Sequence, residues 1–151
     1  MRLILSLLLL IFFCLPLYSE NVFDSFLGNY NSHTLESQKL ILHTQGGRIA
    51  LTPFTDEIIK VEVFEDADTQ ERRSFAVFRN PEKVQTNLTN NPDFLVYSAG
   101  KIKTVIKKNP LKLSFIKDGD TLLKEKFGTY HMGWGFENTF EKEPGEMFFG
   151  T

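Results

Sequence analysis

Short apolar or alternating runs, separated by turn residues, fill the sequence from Lys39 onward and limit the possible fold more than any other feature. Runs of this length and spacing are typical of antiparallel β-strands, and no segment has a sustained helical period. The predicted strands are residues 40–43, 48–54, 57–64, 74–78, 94–97, 102–107, 111–116, 121–125 and 147–149.

Turn-forming dipeptides separate these runs and support the strand prediction. They are Gly46-Gly47, Asn91-Pro92, Asn109-Pro110 and Asp118-Gly119. Each supplies a backbone conformation that a turn requires. The Asp118-Gly119 pair is the clearest signal, because residues 111–115 alternate before it and leucines resume after it. This pattern predicts a β-hairpin.

One predicted strand also indicates how the sheet is exposed. Residues 102, 104 and 106 are Ile, Thr and Ile, whereas 101, 103 and 107 are lysines. One face of the strand therefore contacts water, which favours an antiparallel sheet over a buried parallel one. We predict an all-β fold, an antiparallel β-sandwich. The chain has 15 phenylalanines, and most are expected to face the core. Examples are Phe54, Phe64, Phe75 and Phe115.

The N-terminus has the pattern of a secretory signal peptide. A positive start at Arg2 precedes the apolar stretch 3–17, and polar residues return at Ser19. We therefore assign residues 1–19 to a signal peptide and expect an exported protein, periplasmic or extracellular. One alternative is an uncleaved membrane anchor, although a stable span needs about 20 apolar residues and Pro16 interrupts this run. The other alternative is a lipoprotein with its lipid attached to Cys14, but bulky residues precede that cysteine.

The rest of the chain divides into an approach segment and one domain. Residues 20–38 are polar and without a long period, with one short helical turn at most, and residues 39–151 form the predicted β-sandwich domain. Cleavage removes the only cysteine, so stability must come from packing rather than from disulfides. The 17 Lys and Arg residues against 19 Asp and Glu residues offer no basic stripe, so a nucleic-acid partner is not expected.

Candidate chemistry is sparse. His33, His43 and His131 lack the spacing of metal ligands, and no motif predicts a cofactor. The acidic runs 65–68 and 118–120 are predicted to be solvated turns. The aromatic rings beside glycines in residues 133–136 and 147–150 are candidates for stacking on a sugar, with ordinary packing at a sheet edge as the alternative.

Three ordered stretches resemble the N-terminal domain of glycoside hydrolase family 31, the α-glucosidases and α-xylosidases. They are RIALTPFTDEIIKVEVF at residues 48–64, NPLKLSFIKDGDTLLKE at 109–125 and PGEMFFG at 144–150. The last is similar to the Gly-Glu-x-Phe-Tyr-Gly segment that leads into the catalytic (β/α)₈ barrel of that family. The likeness extends over roughly residues 40–151. It implies a galactose-mutarotase-like β-sandwich packed beside the barrel.

The resemblance also implies a function. The family's barrel carries the aspartate nucleophile and acid/base of a retaining α-glycoside hydrolase, and neither can be placed in this sequence. The expected role is that of a non-catalytic, carbohydrate-associated domain of an exported α-glycosidase, a fragment or truncated product whose partners are the barrel and an α-glucoside or α-xyloside. Glu146 is then a residue of the sugar-pocket rim, together with its neighbours up to Gly150.

Two further functions stay open. A free-standing carbohydrate-binding module would use Trp134, Phe148 and Phe149, which with Glu146 make up our candidate substrate-binding set. A mutarotase-like epimerase would need a histidine and a glutamate meeting in one cleft, for which His131 and Glu146 are the nominees.

Overall fold

The computed structural model describes residues 25–65, 80–132 and 135–142. Within these ranges the chain forms eleven strands and no helix. None of the described residues belongs to a helix long and apolar enough to cross a membrane. The strands are β1 (Ser25–Phe26), β2 (Tyr30–Glu36), β3 (Lys39–Thr44), β4 (Arg48–Thr55), β5 (Ile58–Phe64), β6 (Thr86–Asn90), β7 (Phe94–Ala99), β8 (Ile102–Lys108), β9 (Leu111–Lys117), β10 (Asp120–Met132) and β11 (Gly135–Phe140).

The described strands form two antiparallel sheets. A four-stranded sheet has the order β2-β3-β4-β5, and a seven-stranded sheet has the order β1-β10-β9-β8-β7-β6 with β11 also paired to β10. Consecutive strands pair as hairpins in both sheets, as short turns between antiparallel strands allow. The predicted all-β sandwich is thereby confirmed.

The two sheets pack their inner faces against each other. Leucine and isoleucine side chains alternate inward along the strands, as the period of two requires. The core cluster consists of Leu27, Leu40, Leu42, Ile49, Leu51, Val84, Leu95, Tyr97, Ala99, Ile106, Leu111 and Leu113. Because members come from both sheets, burial of this apolar surface is the main force that holds them together.

The local predictions from turns and alternation are confirmed. Asp118 and Gly119 form the turn between β9 and β10, and both have positive φ, 53° and 95°. That conformation matches the right-handed twist of the flanking strands. On β8, Ile102, Thr104 and Ile106 are buried while Lys103 is exposed. The acidic run 118–120 is accordingly a turn, as predicted.

Gln38, in the turn between β2 and β3, ties the small sheet to the segment that enters β6. Its side-chain amide donates to the carbonyl oxygens of Glu82 (2.7 Å) and Pro53 (3.3 Å), and its Oε1 accepts the N–H of Val84 (3.0 Å). The hydroxyl of Tyr97 on β7 donates to the Gln38 backbone carbonyl. Tyr97 is fully buried, and burial raises the pKa of its hydroxyl to about 12.

An exposed ion cluster joins turns of the two sheets at one end of the sandwich. The Lys101 ammonium lies 2.8 Å from the Glu57 carboxylate and 3.5 Å from that of Asp56, and Lys117 lies 3.2 Å from Glu57. The backbone N–H of Lys101 donates to the Asp56 carbonyl at 2.7 Å. Hydrogen bonds from Lys101 and then Lys117 lower the pKa of Glu57.

Several elements differ from the prediction. The approach segment contains β2, which pairs along its length with β3, and no helical turn is present in residues 25–38. Its sequence, YNSHTLE, is largely exposed because β2 is an edge strand, so it has no apolar alternation to detect. Strands β6 and β11 were not predicted, and β10 extends well past residue 125. The predicted strands 74–78 and 147–149 lie outside the described residues.

The phenylalanine prediction is confirmed for Phe115 and Phe64, which are packed or buried, and is wrong for Phe54. Phe115 packs against the core cluster. Phe64 is 9% exposed, and the guanidinium of Arg48, its register partner on β4, lies 5.7 Å from its ring centroid. Phe54 follows buried Pro53 and is half-buried, with the Lys60 ammonium 6.0 Å from its ring. Phe75 lies outside the described residues.

Candidate functional site

The four predicted substrate-binding residues lie outside the described residues. They are Trp134, Glu146, Phe148 and Phe149. The structure does describe the strands on either side of residues 133–134, which connect β10 to β11 in sequence. The site can therefore be built from this hairpin, and its end is defined here by His131, Phe136 and Glu65.

Strand β10 changes partners along its length. Residues 120–124 pair with β9, whereas residues 125–132 pair with β11, and its last residues also pair with β1. The β10–β11 hairpin is consequently attached to the seven-stranded sheet through one continuous strand. The orientation of its end depends on how β10 is held at the point where the partner changes.

A β-bulge marks this part of β10. Between the pairs Glu125–Phe140 and Thr129–Asn138, β10 advances by two more residues than β11. Bulges bend a strand and redirect its side chains. Here Phe127 is 52% exposed, and the Lys126 ammonium lies 5.0 Å from its ring centroid.

Gly128 allows the bulge to lie close against β9. Its φ is +84°, a backbone conformation that residues other than glycine rarely adopt. A Cβ atom at this position would lie 2.5 Å from the carbonyl oxygen of Leu111. Glycine is therefore required both by the backbone conformation and by the available space.

His131 and Phe136 pair across the end of the hairpin. Their ring centroids are 5.1 Å apart with an interplanar angle of 44°, and Phe136 is 36% exposed. A partly exposed ring next to a polar one is a surface on which a sugar can stack. The aromatic-glycine stretch at residues 133–136 thus has at least one accessible ring, that of Phe136.

His131 also contacts an acid that the sequence analysis did not associate with it. Its Nε2 lies 2.8 Å from Oε1 of Glu65, which directly follows β5. The contact links the two sheets at this end of the sandwich. Glu65 is not the glutamate nominated for an epimerase. The nominated partner, Glu146, lies outside the described residues.

Glu125 is a buried carboxylate at the point where β10 changes partners. The residue is 2% exposed. Its Oε2 accepts the backbone N–H of Leu113 on β9 at 2.8 Å, and its Oε1 accepts the side-chain amide of Asn138 on β11 at 3.1 Å. Burial raises the pKa of the Glu125 carboxyl, and the Leu113 hydrogen bond and the charge of Lys112 partly oppose this shift. No sequence pattern distinguishes this glutamate from the exposed charges around it.

The other two histidines make local contacts. Nδ1 of His33 lies 2.5 Å from the Tyr30 hydroxyl, and Nε2 of His43 lies 3.1 Å from the Thr34 hydroxyl. Both pairs lie within β2 or between β2 and β3, consistent with a structural role. In the part of the chain that the structure describes, no group of three His, Cys, Asp or Glu side chains could hold a metal ion.

Comparison with protein families identifies the fold. The family model of the glycosyl hydrolase 31 N-terminal galactose mutarotase-like domain matches residues 48–151, well over half of the chain. The chain belongs to this family. The match spans β4 to β11, and it confirms the predicted family resemblance.

Solved structures show the same fold. Two structures of a Flavobacterium johnsoniae glycoside hydrolase family 31 dextranase, a point mutant complexed with isomaltotriose and the enzyme complexed with glucose, are similar to this chain. Each has a TM-score of 0.61 and 17% sequence identity. The match covers 67% of this chain but only 13% of the dextranase. No curated protein matches the sequence.

Proposed function

We propose that this chain is the non-catalytic, carbohydrate-associated N-terminal β-sandwich domain of an exported α-glycosidase. The family match over residues 48–151 carries this proposal. The chain corresponds to 13% of the length of the dextranase to which it is similar. In the complete protein a (β/α)₈ barrel would supply the two carboxylates of a retaining glycosidase, which lie about 5 Å apart.

The role proposed for the domain is to pack on the barrel and shape the substrate entrance. Exposed aromatic rings on the β10–β11 hairpin, Phe127 and Phe136, support an interaction at this edge. Trp134, Glu146, Phe148 and Phe149 complete the proposed sugar-contacting set, and the substrate class is an α-glucoside or α-xyloside. Aromatic rings that are partly exposed in the isolated domain can be covered by a partner or by a sugar.

Sugar binding can be tested by calorimetry with isomaltotriose and maltotriose. We expect heat of binding that disappears in Trp134→Ala. Phe94→Ala is the matched control, because this 40% exposed ring lies on β7 rather than on the hairpin. If neither sugar produces heat, or if both variants lose it equally, the hairpin is not the sugar contact. Hydrolysis of a nitrophenyl α-glucoside by the purified chain would contradict a non-catalytic role.

A free-standing carbohydrate-binding module is the second candidate, favoured by the 36% exposed ring of Phe136 beside Trp134 in sequence. The two candidates differ in the size of the native product. We would detect it with an antibody against the sandwich domain and then measure its intact mass. A product several times heavier than 17.4 kDa supports the glycosidase. A product slightly lighter than this value indicates signal removal and a separate module.

A further inference from the structure

Strand β10 makes a side-chain contact with β9 at the point where its pairing with β9 ends and its pairing with β11 begins. The pairing of β9 with β10 ends at Lys124 and Ser114, and from Glu125 onward the partner is β11. The backbone N–H of Leu113 then donates to the Glu125 carboxylate. A buried N–H without an acceptor is costly, so the carboxylate takes the place of the missing strand carbonyl.

The same carboxylate also reaches the outer strand of the hairpin. Asn138 is opposite Thr129, on the far side of the bulge, yet its side-chain amide donates to Glu125 at 3.1 Å. Among the described residues, Glu125 thereby bridges β9 and β11 across the strand between them. The bulge interrupts backbone pairing here, so this side-chain bridge replaces ladder contacts that are absent.

A carboxylate suits this position because both of its partners are donors. An ionised glutamate only accepts hydrogen bonds, and the Leu113 N–H and the Asn138 amide only need acceptors there. Burying a charged group is unfavourable unless such bonds compensate for lost hydration. An apolar residue would leave both donors without a partner.

We propose that Glu125 is a positioning residue, which holds the β10–β11 hairpin, and with it the partly exposed ring of Phe136 proposed to contact sugar, in one orientation on the seven-stranded sheet. The part that concerns sugar rests on the proposed function. The part that concerns the hairpin rests on the two hydrogen bonds and the bulge, and it stands independently.

The decisive variant is Asn138→Ala, which removes the hydrogen bond from β11 to Glu125 and keeps the one from the Leu113 N–H. Hydrogen exchange of the backbone amides in β11 should accelerate about tenfold or more, the loss expected for one hydrogen bond to a charged group. Amides of β7 and β8 should exchange as in the wild type.

Two substitutions at position 125 complete the test. Glu125→Leu should release the hairpin to a greater extent than Asn138→Ala, whereas Glu125→Gln should stay closer to the wild type because its amide oxygen still accepts from Leu113. The control is Glu137→Gln, an exposed glutamate on β11 that is outside the bridge. It should leave hydrogen exchange of the β11 amides unchanged.

Three results would overturn the proposal. They are unchanged exchange of the β11 amides in Asn138→Ala, faster exchange that spreads equally to β7 and β8, and an effect of Glu125→Gln as severe as that of Glu125→Leu. Calorimetry with isomaltotriose separates the two hypotheses. If the wild type binds no isomaltotriose, the proposed function fails, and hydrogen exchange still decides the role of Glu125. If it binds, Asn138→Ala should weaken the affinity while Glu137→Gln does not.

Discussion

Substitution of Tyr97 by phenylalanine tests how the two sheets are tied together. The side chain is fully buried and its hydroxyl donates to the backbone carbonyl of Gln38 in the β2–β3 turn. Tyr97→Phe preserves the ring and removes only this hydrogen bond. Loss of one bond that leaves a partly buried acceptor unpaired costs about 1 to 3 kcal/mol. Urea unfolding at pH 7 should show a decrease of that size in the free energy of unfolding.

The difference in the free energy of unfolding between wild type and Tyr97→Phe should also depend on pH, which gives a second test. Burial raises the pKa of Tyr97 to about 12 from an ordinary value of 10.0. Between these values the folded state keeps its proton while the unfolded state loses it, so the stability supplied by Tyr97 falls as the pH rises. At pH 11 the wild type should have lost on the order of 1 kcal/mol that Tyr97→Phe does not lose. The gap between the two proteins should narrow by this amount.

Tyr30→Phe is the matched control at pH 7. The Tyr30 hydroxyl contacts His33 within the same edge strand, 2.5 Å from its Nδ1, and joins no two sheets. Its loss should cost less than about 1 kcal/mol, the level of an ordinary net hydrogen bond. If Tyr97→Phe is no more destabilising than this control, or if its gap to the wild type is the same at pH 7 and pH 11, the buried hydrogen bond does not tie the sheets together.

Three other substitutions have defined outcomes. Leu51→Ala, at a fully buried core position, should lower the free energy of unfolding by about 2 to 5 kcal/mol in urea, and a loss under about 1 kcal/mol would contradict the packed core. Gly128→Ala should lower the melting temperature more than Gly119→Ala. Both glycines have positive φ, but only at Gly128 would the added Cβ lie 2.5 Å from a carbonyl oxygen. Equal melting temperatures of the two variants would refute this reasoning. The Glu57 carboxyl, whose pKa is lowered by its lysine hydrogen bonds, contributes stability above pH 4.5 that is lost as the pH falls through the lowered value. Melting temperatures of wild type and Glu57→Gln should therefore converge in acid and in high salt, and parallel curves would contradict the ion cluster.

The sequence alone predicted those elements whose signal is local. The β9–β10 hairpin follows from Asp118-Gly119, since few residue pairs adopt two positive φ angles at low cost. The inner and outer faces of β8 follow from alternating isoleucine and lysine side chains. The family could also be predicted from the sequence, because each of the three similar stretches is an uninterrupted run and the three lie in order along the chain.

Tertiary structure alone decided the features that depend on which strands are neighbours. β2 forms because β3 offers it a backbone ladder, although the sequence of β2 has no apolar face. Phe54 is half-buried and outside the core cluster, with the Lys60 ammonium 6.0 Å from its ring, although it lies in an apolar run of β4.

Glu125 is the clearest case. In sequence it is one acid between two lysines, and in the folded chain it is a buried acceptor for donors from two other strands. Its role arises where β10 leaves β9 for β11, a place defined by pairings between residues far apart in the chain. Alternation and turn chemistry depend on near neighbours and are therefore encoded locally, whereas partner exchange, packing outside the core and buried charge depend on contacts that exist only after the sheets assemble.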